Sequence, residues 1–146
     1  MDDPKQPRKS RTVVIIAAII GSSIGALVGS NAMRSLSDSN LDQGLVQASK
    51  QINQALPMRL DDATRLEITL ALPGKKLMYK YTLTNLTEKP DPKALVDAMR
   101  PIVTNTYKTS TEMANLRKQG VTLVYAYYDE TGSEVAHFEV TPNDIK

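Results

Sequence analysis

The chain has 146 residues, enough for one domain of ordinary size with length left for a tail or anchor. It has no cysteine, which excludes a disulfide framework, a thiolate metal site, a cysteine nucleophile and a lipid anchor on cysteine. Its 18 basic and 16 acidic residues include Lys5, Arg8, Lys9 and Arg11 against Asp2 and Asp3 in the first twelve positions, leaving 14 of each sign elsewhere. A folded part with no basic excess argues against nucleic acid as a partner.

The basic tail, 1–12, runs into an uncharged stretch from Val13 to Val28. Extended to Met33, this stretch has about the 20 residues that a membrane-spanning helix needs. The positive flank in front predicts a cytoplasmic N-terminus and the bulk of the chain outside. Gly21, Gly25 and Gly29 continue Ala17 at four-residue spacing, and Ala18, Ser22, Ala26 and Ser30 make a second ridge of small residues. In lipid, such a face lets two helix backbones approach closely, so it predicts packing against a second copy or another membrane protein. The rival reading is a cleavable signal peptide, with "SNA" at Ser30–Ala32 as its processing site. In a cleaved peptide the regular small face would have no role. Residues 34–40, "RSLSDSN", read as a flexible polar linker ending in helix-capping residues.

The remainder, 41–146, changes period repeatedly. Leu41, Leu45, Ala48, Ile52 and Leu56 fall at helical spacing, and Pro57 ends that helix. In "TRLEITLAL", Leu66, Ile68, Leu70 and Leu72 alternate with Arg65, Glu67, Thr69 and Ala71, the pattern of a half-buried strand. "PGK" at 73–75 is a tight turn into a second strand, in which Leu77, Tyr79, Tyr81 and Leu83 share a face. Asp91 and Pro92 open a second helix lined by Leu95, Met99, Ile102 and Thr106, which Pro101 is expected to kink or split. A short helical turn from Ser110 or Thr111 stops at Gly120. "VTLVYAYYD" and "EVAHFEV", joined by "DETGS", form a second hairpin. The order α-β-β-α-β-β predicts an α+β fold, a two-layer sandwich of a four-stranded antiparallel sheet with two helices on one face.

Residues for chemistry are sparse. His137 alternates with Ala136 and Phe138, which puts it on the open face with Val135 and Glu139, a surface histidine without companions for catalysis or metal binding. Asp61/Asp62 and Asp129/Glu130 are sequence neighbours, whereas paired-acid catalysis needs carboxylates across a cleft. No nucleophile elbow, phosphate loop or dinucleotide fingerprint is present outside the apolar run. The sequence therefore assigns no catalytic residue, no metal and no cofactor. The tyrosines carry the most suggestive pattern: Tyr79, Tyr81, Tyr125 and Tyr127 all fall on strands in a chain with one phenylalanine and no tryptophan. Two readings apply, cross-strand packing in the core or a tyrosine-lined surface that binds a partner.

"LPMRLDDATRL", "PGKKLMYKY" and "GVTLVYAYYDETG" give the segment 51–140 a resemblance to small bacterial exported or membrane-anchored envelope proteins of uncharacterised function. The resemblance implies a cell-envelope setting and transfers no catalytic residue. It also implies a cysteine near the second helix, where this chain has Thr109, so a disulfide there is absent. The expected function is a single-pass protein of the bacterial inner membrane whose small periplasmic domain is a non-enzymatic interaction or structural module of an envelope complex, in secretion, assembly or exclusion/immunity. The alternative is a periplasmic binding module for a small or lipidic ligand.

Overall fold

The computed structural model describes residues 41–146. The expected tail (1–12), membrane anchor (13–33) and linker (34–40), with Ala17, Gly21, Gly25 and Gly29, lie outside the described residues. Among the described residues no helix is long and apolar enough to cross a membrane.

Helix α1 (Leu41–Asn53) buries Leu41, Leu45, Ala48 and Ile52 of the expected stripe, adds Ser49 to it, and ends before the expected Leu56. It stops before the cis peptide Leu56–Pro57, and a two-residue strand, β1 (Met58–Arg59), follows. The hairpin comes next, β2 (Thr64–Leu72) and β3 (Lys76–Leu83). Its turn holds Gly74 at φ 84° and Lys75 at φ 59°, so two consecutive left-handed residues close it, one of them glycine. Helix α2 (Pro92–Thr109) starts where Asp91 accepts a hydrogen bond from the Lys93 N–H at 3.2 Å. Its buried stripe is Leu95, Met99, Val103 and Tyr107, not the Leu95, Met99, Ile102 and Thr106 of the sequence reading. Pro101 does not divide the helix. It and Asp97, whose carbonyl loses its partner, are both exposed, so water can take the vacated bond. The short α3 (Ala114–Lys118) leads through Gly120, at φ 70°, to the second hairpin, β4 (Thr122–Tyr128) and β5 (Glu134–Val140). A 3-10 turn, Pro142–Ile145, closes the chain.

The fold is α+β, as expected, but the sheet differs from the expected four antiparallel strands. Among the described residues it has five strands in the order β1-β2-β3-β4-β5, and the central pair β3–β4 is parallel. The reason is topological. The helical crossover from Leu83 to Thr122 returns the chain to the end where β3 began, so β4 runs in the same direction. Each hairpin is antiparallel inside, and the parallel seam joins them. That seam sets Leu77 beside Leu123, Tyr79 beside Tyr125 and Tyr81 beside Tyr127.

A second difference lies in β2. Leu66 faces Tyr81 and Ile68 faces Lys80, so Glu67 is an extra residue, a β-bulge. A single inserted residue reverses the alternation beyond it. Leu66 thus points inward, while Ile68, Leu70 and Leu72 leave the face on which the sequence pattern put them. Thr69, fully buried, takes the inward position beside Tyr79. The inward residues of β2 to β5 and the buried stripes of α1 and α2 form one hydrophobic cluster, with both helices on the same side of the sheet.

Candidate functional site

Tyr79, Tyr81, Tyr125 and Tyr127 are brought together by the parallel seam, on the side covered by the helices. None is more than 2% exposed, so they form a core array and not a partner-binding surface. The rings lie in two cross-strand rows. Tyr79, Tyr125 and Phe138 stack at centroid spacings of 5.3 and 5.4 Å, and Tyr81 stacks on Tyr127 at 5.0 Å. Such pairs each contribute about 0.5–1.5 kcal/mol beyond the area they bury. The hydroxyls are the anomaly. Those of Tyr79, Tyr81 and Tyr127 are buried without a hydrogen-bond partner. Tyr107 of α2, by contrast, donates to the Val121 carbonyl at 2.6 Å. Burial pushes the phenol pKa of all five core tyrosines upward, because a phenolate has no water there.

The inward Thr69 carries the polar counterpart of this array. Its N–H donates to Asn53 Oδ1 at 2.8 Å, and its carbonyl accepts from Asn53 Nδ2 at 2.9 Å and Ser49 Oγ at 2.8 Å. The Asn53 amide thereby takes the place of a neighbouring strand where β1 has run out. Two side chains on successive turns of α1 close the β2 edge, a contact that depends on the bulge and so leaves no mark on the residue pattern.

The opposite sheet face has no helix over it among the described residues. Leu70, 38% exposed, lies in a row with Met78 and Val124, and Ile68 lies in a row with Lys80 and Ala126. Charges surround this apolar centre: Arg65 and Glu67 at 2.5 Å, Lys76 and Glu139 at 2.8 Å, and Lys80 with its ammonium 4.4 Å from the Tyr128 ring centre. His137 is on this open face, as predicted, and its Nδ1 lies 2.5 Å from a Glu134 carboxylate oxygen. Val135, expected beside it, is instead buried, because the β4–β5 ladder shifts register between Tyr127 and Tyr128. Among the described residues no three histidine, aspartate or glutamate side chains come together as a metal-binding set.

Two depressions mark the surface. One, about 450 Å³, runs between the first turns of α2 and the start of β5, over Pro92, Val96, Val135 and Ala136. The other, about 340 Å³, lies at the end of the open face near Arg65, Lys80 and the 129–132 turn. In that turn Asp129 Oδ1 accepts from the N–H groups of Thr131 and Ser133 and from the Thr131 hydroxyl. These bonds hold its carboxyl below the usual range, so it acts as a turn constraint.

No protein-family profile matches this chain, and no curated protein sequence matches it significantly. Solved structures do match in fold. A Pseudomonas aeruginosa protein described as secreted superimposes with a TM-score of 0.65 at 17% identity, over 77% of this chain and 98% of its own. EpsS, the pilotin of the Vibrio vulnificus type 2 secretion system, gives 0.59 at 11% identity over 75% of this chain and 94% of its own. The Vibrio cholerae type II secretion pilotin AspS gives 0.55 at 11% identity, over 73% and 94%. At these identities the likeness is one of fold alone.

Proposed function

We propose that this chain is a non-enzymatic interaction module of the bacterial cell envelope that serves a secretion complex in the manner of a pilotin. One observation carries the reading: two pilotins of type II secretion share the fold over nearly their whole length. The sequence adds a tether. Residues 13–33 anchor the domain in the inner membrane with its globular part in the periplasm, and Ala17, Gly21, Gly25 and Gly29 give the anchor a face for a second contact.

Crosslinking in living cells followed by mass spectrometry tests the reading. The expected result is enrichment of secretion-complex components over an unrelated anchored control. Recovery of no envelope protein above that control overturns it. A reporter fused after Lys146 is expected to be active only outside the cytoplasm, and cytoplasmic activity would remove the tether.

A further inference from the structure

We draw no further inference here: the strongest candidate, the outer edge of β5, unpaired among the described residues and lying beside the depression between β5 and α2, has rim charges that pair with one another, Lys93 with Asp97 and Glu134 with His137, and nothing in the structure shows what covers it.

Discussion

Alternate residues of the same strands face two different environments, and the two faces of the sheet are built from different materials. The covered face is aromatic: Tyr79, Tyr81, Tyr125, Tyr127 and Phe138 stack beneath the helices and keep almost no exposed surface. The open face has a modest aliphatic centre bordered by ion pairs. The contrast teaches where the stability of the domain resides. Large rings that lose all contact with water contribute area and stacking together, whereas charges that stay in water contribute little net energy. The open face is thereby free to change without unfolding the domain.

The largest expected effect is on the covered face. Tyr81 touches both rows, with centroids 6.1 Å from Tyr125 and 5.0 Å from Tyr127. Tyr81→Ala should cost about 3–5 kcal/mol, as truncation of a buried aromatic does, read as a fall in the urea midpoint. Met78→Ala, three residues away on the same strand but on the open face, should cost about 1 kcal/mol. Equal losses from the two would break the contrast between the faces.

The next effect is at the boundary between the faces, where α1 closes the β2 edge. Asn53→Ala leaves the buried Thr69 N–H without its acceptor, while Ser49 still donates to the Thr69 carbonyl. One orphaned buried donor predicts a loss of about 2 kcal/mol in urea denaturation. A loss near zero would mean that water replaces the amide and that the edge is less closed than its geometry implies.

The order and type of the main elements could be read from the sequence because their signals are local. The Asp91–Pro92 start, the glycine turns and the period of two in "KLMYKYTL" each depend on a few neighbouring residues. The errors arose where a long-range or one-residue effect decides. The bulge at Glu67 moves Ile68, Leu70 and Leu72 to the opposite face, and no periodicity reveals an inserted residue. The parallel seam did leave a trace: Leu-x-Tyr-x-Tyr occurs at 77–81 and again at 123–127, and like meets like only when the strands run in the same direction. Read that way, the tyrosines belong to a seam between two covered strands, and the core reading follows over the surface one. The depression between α2 and β5 was not legible, since Val96 and Val135, which line it, lie 39 positions apart in sequence.

A smaller effect of opposite sign distinguishes tyrosines within the core. Tyr81→Phe removes a buried hydroxyl that has no partner and should raise stability by about 1 kcal/mol. Tyr107→Phe removes the bond to the Val121 carbonyl and should lower it by about 1 kcal/mol. The same burial sets an alkaline limit. The folded Tyr81 phenol holds its proton more tightly than the unfolded chain, whose ordinary value is 10.0. Its contribution is therefore complete below pH 10 and is lost as pH rises from there toward the higher folded value. Tyrosinate absorbance should appear together with unfolding in an alkaline titration, and Tyr81→Phe should move that transition to higher pH. Ionisation of the core tyrosines in a chain that remains folded would contradict their burial.

The smallest effect belongs to the open face. Lys76 and Glu139 meet at 2.8 Å across β3 and β5, yet their side chains are 36% and 41% exposed. Water and salt screen such a pair, and ordering two flexible side chains offsets much of the attraction, so their coupling should be about 0.5 kcal/mol. A double-mutant cycle with Lys76→Ala and Glu139→Gln measures that coupling, and it should shrink further in high salt. A coupling of about 2 kcal/mol, insensitive to salt, would mean that the pair is desolvated. That result would require something to cover this side of the sheet, and the division between a covered face that stabilises the domain and an open face left to water would then fail.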